Sequence, residues 1–277
     1  MAVSVNVAVM KVAYLQFEPI FGHVEANIEK ASRMISSIDA DLVVLPELCF
    51  SGYTFVSQGE VDSLAEPAYG GFTLKRMTEL SRQLNVGVIY GFPEISDGRY
   101  YNSASFIRPD GGLSVYRKLH LYCDEKDWFS PGDKHLEIIE FRGCNVGMMI
   151  CFDWYFPEVM RSLALMGAHL ICHPSNLVMS HCPDSMITRC LENGVFSVTA
   201  NRIGREKRGE FDLSFIGTSE IVSNKGLILR RASSDKEEYG VADISFRESE
   251  NKMVNSKNDL WKDRRPEFYR MRQNDKR

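Results

Sequence analysis

Cys151 is a residue whose setting suggests covalent chemistry. It directly follows the apolar run 147–150, which has the character of a buried strand. A helix is predicted to begin near Pro157, because proline is favoured in the first turn of a helix. Such a turn projects a side chain towards a helix N-terminus, where the dipole favours a thiolate. A free cysteine is often simply a buried core residue, so position alone leaves both roles open.

Two charged residues stand in comparable positions. Glu47 follows the apolar run 42–45, where a carboxylate is costly unless it is paired or functional, and Lys118 ends the run 113–117. Considered alone, each of these two residues is more simply explained as a solvated side chain at the end of a strand. Together with Cys151 they lie at the ends of three strands, where open α/β sheets place active sites. In the chemistry they supply, Glu47 takes the thiol proton, Lys118 offsets the charge on a carbonyl oxygen and Cys151 attacks.

The elements that must position these residues alternate between strand and helix patterns. Helices are predicted at 22–38, 72–84, 156–166 and 186–193, and strands at 5–17, 42–45, 86–92, 145–150, 169–173 and 195–203. The middle of the chain favours a hairpin of strands 101–108 and 113–118 with a turn at 109–112, then a strand at 137–141. Strands at 215–222, 227–229 and 239–243 complete one predicted α/β domain over residues 1–250, and residues 251–277 form a C-terminal extension.

The overall composition limits the class of protein. The 277 residues include 33 Lys and Arg against 37 Asp and Glu, which gives a net charge of −4. This balance argues against nucleic acid as a partner. No run approaches 18 consecutive apolar residues, so we expect no membrane span, and the N-terminus does not resemble a signal peptide.

The seven cysteines and the histidines predict no metal site. No CxxC pair occurs, which argues against a zinc site of the usual spacing and against a disulfide framework. His169 and His173 share one face of a predicted strand, while Cys172 faces the other way, a poor geometry for a single ion. Free thiols suit a reducing compartment, so we expect a cytoplasmic protein.

Three motifs together resemble those of one enzyme family. Residues 46–53 read PELCFSGY, residues 116–121 read YRKLHL and residues 151–158 read CFDWYFPE. Glu47, Lys118 and Cys151 follow in this order, 71 (118 − 47) and 33 (151 − 118) residues apart. This arrangement is similar to that of the nitrilase superfamily of carbon–nitrogen hydrolases, and flanking motifs extend the resemblance over nearly the whole chain.

The resemblance implies a fold and a reaction. The fold is an α/β four-layer α-β-β-α sandwich with mostly antiparallel or mixed sheets. The assembly is a homodimer or a higher homo-oligomer, with the C-terminal extension crossing the subunit interface. The reaction is hydrolysis of a non-peptide C–N bond in a small-molecule amide or carbamoyl substrate through a cysteine thioester, with release of ammonia or an amine. It needs no cofactor and no metal.

The resemblance also assigns supporting residues. Glu125, downstream of Lys118, would orient the lysine or assist proton transfer, and the loop residue His120 would support this segment through hydrogen bonds. The backbone N–H of Phe152 would hold the developing oxyanion together with Lys118.

The same resemblance bears on the substrate pocket. The resemblance places Asn176 beside the nucleophile, and Trp154 and Tyr53 are expected to line the cavity, although simple packing explains both aromatic residues equally well. Arg189 and Arg202 are candidates for binding a substrate carboxylate, which carbamoyl amino acids would require.

An amidase of small amides is the favoured interpretation. An N-carbamoyl amine or amino acid amidohydrolase is the alternative, because amides and carbamoyl compounds would use the same three residues, and a nitrilase is less expected. A different class of role is an ammonia-supplying or non-catalytic interaction subunit. The complete set of Glu47, Lys118 and Cys151 argues against an inactive protein.

Overall fold

Two six-stranded sheets with flanking helices make up residues 8–269, the part of the chain that this computed structural model describes. The strands are β1 (Met10–Gln16), β2 (Leu42–Val44), β3 (Gly87–Ser96), β4 (Arg99–Ile107), β5 (Leu113–Arg117), β6 (Ile138–Phe141), β7 (Cys144–Met148), β8 (Leu170–Pro174), β9 (Phe196–Ala200), β10 (Arg205–Arg208), β11 (Phe211–Ser214), β12 (Glu220–Val222), β13 (Ile228–Arg231) and β14 (Glu238–Ile244). The α-helices are α1 (Val24–Ile35), α2 (Gln58–Leu64), α3 (Phe72–Leu84), α4 (Glu125–Trp128), α5 (Pro157–Leu165) and α6 (His181–Asn193). Short 3₁₀ helices cover Cys151–Tyr155, Phe246–Glu250 and Pro266–Phe268.

Both sheets are mixed. The first has the strand order β14-β1-β2-β3-β4-β5, and the second has the order β13-β12-β9-β8-β7-β6. The neighbours β1, β2 and β3 run parallel, as do β7, β8 and β9, while the outer strands pair antiparallel. Strands β10 and β11 form a separate hairpin.

The alternation of side chains along β1 shows how the layers arise. Val12 and Tyr14 belong to the core between the sheets, whereas Ala13 and Leu15 belong to a second core that also contains residues of α1 and α3 such as Met77. Fully burying such an aliphatic side chain contributes about 1.5–3 kcal/mol, so each sheet is stabilised from both faces. Helices α5 and α6 cover the second sheet, and the result is the expected four-layer α-β-β-α sandwich.

Most predicted elements are present, with two kinds of difference. The predicted strand at 215–222 is reduced to β12, because Gly217 and Thr218 have positive φ values of 58° and 55° that interrupt extended chain. The hairpin β10–β11 and helix α2 were not predicted, since their polar composition resembles that of loops. Residues 5–7 of the first predicted strand lie outside the described residues.

The start of the C-terminal segment docks on its own subunit. Lys252 donates from Nζ to the carbonyl oxygens of Asn193 and Gly194 at 3.0 and 2.9 Å. The half-buried Trp261 packs against the core, with the guanidinium of Arg161 5.1 Å from its ring centroid. That this segment lies at a subunit interface stays a prediction, and residues 270–277 lie outside the described part of the chain.

Two further features concern the protein's setting. Within residues 8–269, no helix is both long and apolar enough to cross a bilayer. All seven cysteines are free, and six of them are buried.

Candidate active site

The ends of three strands bring Glu47, Lys118 and Cys151 into one buried cluster. Glu47 lies three residues beyond β2, Lys118 directly follows β5 and Cys151 lies three residues beyond β7. Their residues are 0%, 1% and 6% exposed. Gly91 allows the approach of the Glu47 segment, because an added Cβ would stand 2.6 Å from the Glu47 Cα and 2.5 Å from the Leu48 nitrogen.

Lys118 sits between two carboxylates. Its Nζ donates to Oε1 of Glu47 and to Oε1 of Glu125, each at 2.7 Å. Burial by itself lowers the pKa of Lys118, but the charges of Glu125 and Glu47 outweigh it and raise the pKa above its ordinary value. The lysine therefore stays protonated, and two of its three N–H donors are engaged, which leaves the third for another acceptor.

Glu125 is a buried partner of Lys118 and not a surface carboxylate. Oε1 also accepts from the hydroxyl of Tyr53 at 2.7 Å, and Oε2 accepts from the backbone N–H of Tyr122 at 3.3 Å. Burial raises the pKa of Glu125, the charge of Lys118 opposes this rise, and Glu47 adds to it. Burial and the neighbouring carboxylates also raise the pKa of Tyr53, so its hydroxyl keeps the proton that it donates.

Glu47 has one oxygen held and one oxygen free. Oε1 accepts from Nδ2 of Asn102 at 2.6 Å and from Lys118, whereas Oε2 is buried with no hydrogen-bond partner among the described residues. The carbonyl oxygen of Glu47 accepts from Nδ2 of Asn176 at 2.9 Å. A buried oxygen without a hydrogen-bond partner costs free energy. The unpartnered Oε2 therefore indicates a chemical role for this atom.

Cys151 adopts a backbone conformation that is rare for a residue with a side chain. Its φ of 40° lies in the left-handed region, a strain that is typical of functional sites. Burial raises the pKa of the Cys151 thiol and the charge of Glu47 adds to this, while Lys118 and the backbone N–H of Asn176 act in the opposite direction. Desolvation and the Glu47 charge therefore oppose ionisation of the Cys151 thiol, against the expected effect of a helix dipole. Cys151 is the first residue of a short 3₁₀ helix, and burial has the largest effect on its pKa.

Asp153 ties the Cys151 turn to the Lys118 loop. This fully buried carboxylate accepts at Oδ2 from the Tyr116 hydroxyl at 2.7 Å and from the Ile150 N–H at 2.9 Å. Oδ1 accepts from the backbone N–H of His120 at 3.1 Å and lies 2.8 Å from its Nδ1. The expected support from His120 is confirmed. Asp153 itself was missed, although a carboxylate inside an otherwise aromatic motif is a usable signal.

Two adjoining cavities open on this cluster. The inner cavity, about 20 Å³, is lined by Tyr122, Cys151, Phe152, Trp154, Asn176, Leu177, Val178 and Met179. The outer cavity, about 340 Å³, is lined by Tyr53, Thr54, Phe55, Tyr122, Cys123, Asp124, Glu125, Trp128, Phe129, Val178, Phe211 and Leu213. The four residues predicted to meet substrate therefore lie at the cavities: Phe152, Trp154 and Asn176 at the inner one and Tyr53 at the outer one.

The two arginines proposed for carboxylate binding are engaged elsewhere. Arg202 is buried, and its guanidinium pairs with Glu206 and donates to the Pro19 carbonyl. Arg189 donates to the carbonyl of Trp154 and pairs with the neighbouring Glu192. The prediction that either one binds a substrate carboxylate therefore has no support in these contacts.

The histidine and cysteine residues of β8 are part of the core. His173 is buried, with Nε2 2.9 Å from the Cys151 carbonyl oxygen and Nδ1 3.1 Å from the Thr199 hydroxyl. Burial lowers the pKa of His173 to about 4, so the ring is neutral near pH 7. Over residues 8–269, no group of three or more His, Cys, Asp or Glu side chains is arranged to hold a metal ion.

Comparison with known proteins places the chain in a family. The family model for carbon–nitrogen hydrolases matches residues 6–251. The chain belongs to the carbon–nitrogen hydrolase family. It is 44% identical over 263 residues to a protein named nitrilase from Pyrococcus abyssi, covering 94% of this chain and 99% of that one. It is 34% identical to an (R)-stereoselective amidase from Pseudomonas sp., covering 82% of each. A crystal structure of a carbon–nitrogen hydrolase from Helicobacter pylori G27 superposes with a TM-score of 0.83 at 26% identity, covering 94% of this chain and 97% of that one.

Proposed function

We propose that this carbon–nitrogen hydrolase is an amidase that cleaves a small amide through a thioester on Cys151 and releases ammonia. The observation that carries the proposal is the buried Glu47 carboxylate, with Oε1 held by Lys118 and Asn102 and with Oε2 unpartnered. A neutral thiol needs a base before it can attack, and an oriented carboxylate beside a protonated lysine supplies both a base and an electrophilic donor.

The proposed reaction has two halves. In the first, Sγ of Cys151 attacks the carbonyl carbon while Oε2 of Glu47 takes the thiol proton. The C–N bond then breaks, and the departing ammonia takes the proton back from Glu47. In the second, a water molecule gives a proton to Glu47 and attacks the thioester carbon. The C–S bond breaks, and the proton returns to Sγ as the carboxylic acid leaves.

The remaining residues are given supporting roles. The third N–H of Lys118 and the backbone N–H of Phe152 stabilise the oxyanion, and losing one such donor typically costs about 10²–10³ in rate. Glu125, held by the Tyr53 hydroxyl, orients Lys118 and keeps it protonated. Asn176 steadies the Glu47 backbone and contacts the substrate, and Trp154 forms part of the pocket wall. No step calls for a cofactor.

Ammonia release is the direct test. A panel of aliphatic amides, ω-amides, N-carbamoyl amines, N-carbamoyl amino acids and nitriles is assayed with wild type, Cys151→Ala and Cys190→Ala. The last variant removes another buried thiol and serves as the matched control. We expect amide turnover that Cys151→Ala abolishes and Cys190→Ala retains. Full activity in Cys151→Ala would refute the mechanism.

The role of Glu47 has a separate test. Glu47→Gln preserves size and removes the base, so intact-protein mass spectrometry is expected to show little acyl-enzyme after mixing with a turned-over amide. Rapid accumulation of the acyl-enzyme in this variant would contradict the assignment of Glu47 as the base of the first half-reaction.

Three alternatives are separated by the same panel, the last together with a pull-down. Carbamoyl compounds would use the same residues, and ammonia from them but not from simple amides would make the protein an N-carbamoyl amidohydrolase. Ammonia from nitriles but not from amides would instead indicate a nitrilase, the name given to the Pyrococcus abyssi relative. Silence across the panel, with a synthetase recovered by pull-down, would favour an ammonia-supplying or interaction subunit.

We also propose that the protein is a homodimer or a higher homo-oligomer, with residues 251–277 as an extension at the interface. Support comes from apolar residues exposed beside α5 and α6, such as Met166 and Leu191, and from Phe268 and Tyr269, which are 65% and 53% exposed. Light scattering after size exclusion is expected to give at least twice the 31.5 kDa chain mass. A monomer at micromolar concentration would contradict this.

A cytoplasmic location is our last proposal here. Seven free thiols are compatible with a reducing compartment. Cell fractionation is expected to recover the protein with cytoplasmic markers, and recovery in an oxidising compartment would contradict the proposal.

A further inference from the structure

The outer cavity extends the space beside Cys151. The two cavities share the lining residues Tyr122 and Val178 and are therefore neighbours. The inner cavity, about 20 Å³, accommodates little more than the reacting group. The outer cavity, about 340 Å³, is within the range of small-molecule sites, which is roughly 300–1,000 Å³.

The hairpin β10–β11 contributes two apolar residues to the wall of the outer cavity. Along β11 the side chains alternate, so Phe211 and Leu213 are partly buried at the cavity, while Asp212 and Ser214 are exposed on the opposite face. The hairpin forms a two-stranded sheet of its own. Packing within a six-stranded sheet therefore does not explain its apolar face.

Buried polar contacts hold the hairpin in place. Oε2 of Glu206 accepts from the backbone N–H of Thr54 at 2.7 Å, and the Arg202 guanidinium pairs with the same carboxylate. Arg208 donates from Nη1 to the Thr54 carbonyl at 2.7 Å and pairs with Glu60. These contacts fix the hairpin to the loop that places the Tyr53 hydroxyl against Glu125.

The chemistry of the outer cavity selects the kind of group that fits. Tyr53, Phe55, Trp128 and Phe129 add aromatic surface to the two hairpin residues. The charged members of the lining named above are both acidic, Asp124 and Glu125. An apolar group gains free energy from burial there, whereas a carboxylate would be repelled.

We propose that Phe211 and Leu213 are specificity-determining residues, and that the outer cavity binds an apolar, non-anionic chain attached to the reacting carbonyl. The inference rests on the proposed amide hydrolysis and names the substrate class of the same site. The hairpin β10–β11 would then select the substrate in addition to any structural role.

A chain-length series tests the inference. Acetamide, propionamide, butyramide and pentanamide are compared by kcat/KM for wild type, Leu213→Ala, Phe211→Ala and the matched control Ser214→Ala on the outward face. In wild type we expect kcat/KM to rise roughly four-fold per added methylene, the factor for burying one CH₂. The pentanamide-to-acetamide ratio is expected to fall about 10-fold in Leu213→Ala and Phe211→Ala, and to stay at the wild-type value in Ser214→Ala.

A gain-of-function variant distinguishes a change of specificity from unfolding of the hairpin. Leu213→Lys places a cation at the wall, so the half-amide of succinic acid should improve relative to pentanamide by about 10-fold. An identical chain-length profile in wild type and all hairpin variants, with Leu213→Lys still rejecting the carboxylate, would overturn the inference and leave amide hydrolysis standing. The absence of Cys151-dependent ammonia from every amide would instead refute the proposed function, and this inference with it.

Discussion

Replacing Asp153 by asparagine tests whether one buried carboxylate holds the Lys118 and Cys151 segments together. Each carboxylate oxygen accepts from one backbone N–H and interacts with one adjustable side chain. In asparagine, one oxygen becomes an NH₂ donor. The Tyr116 hydroxyl can rotate to accept, and the His120 ring can change tautomer, but the N–H groups of Ile150 and His120 cannot adapt.

Either orientation of the new amide therefore leaves one backbone N–H without its acceptor. A buried unsatisfied donor costs about 1–3 kcal/mol, a sizeable share of the roughly 5–15 kcal/mol by which a typical domain is stable. Ile150 directly precedes Cys151 and His120 lies two residues beyond Lys118, so the loss of either hydrogen bond displaces a segment of the cluster. A displacement near 1 Å lowers the rate by about 100-fold.

Urea unfolding at one protein concentration measures the stability effect, and ammonia release from a turned-over amide measures kcat. Asp235→Asn, an exposed aspartate, is the matched control and is expected to match wild type in both assays. If Asp153→Asn unfolds at the wild-type midpoint and keeps the wild-type kcat, Asp153 does not hold these segments and the reasoning fails.

Three further predictions concern stability and pH. Gly91→Ala forces a backbone shift at Glu47, so kcat should fall and the unfolding free energy should drop by about 1–3 kcal/mol. Gly59→Ala on helix α2 is its control, and equal kcat in both variants would contradict the prediction. Cys151 should react with methyl methanethiosulfonate more slowly at pH 7 than a free thiol, because its pKa is raised; a reaction as fast as that of a free thiol, followed by mass spectrometry, would contradict this. Burial raises the pKa of Glu220 to about 7, so the stability it contributes is complete below pH 4.5 and is lost as the pH rises through 7, by about 3 kcal/mol. Unfolding curves of Glu220→Gln should lack this loss, and pH profiles parallel to wild type would disprove it.

Local sequence patterns were enough to predict the strand ends that carry the cluster. The run 42–45 is apolar throughout because β2 is buried on both faces, and the polar residue that follows it is therefore conspicuous. The same reasoning applies to Cys151 beyond β7 and to Lys118 at the end of β5. Periodicity records burial along one element, and it failed where burial was partial, as in the hairpin β10–β11.

Only the tertiary structure decided how the cluster is held and charged. Asn102 donates to Glu47 across 55 residues of chain, and Glu206 holds the Thr54 backbone across 152. No local pattern encodes such pairs, because they depend on how the sheets and loops pack. The pKa of Cys151 likewise depends on how distant segments pack around it. Its sequence position beside a helix start favours a thiolate, but the pKa depends on desolvation and on charges from distant segments, and these raise it.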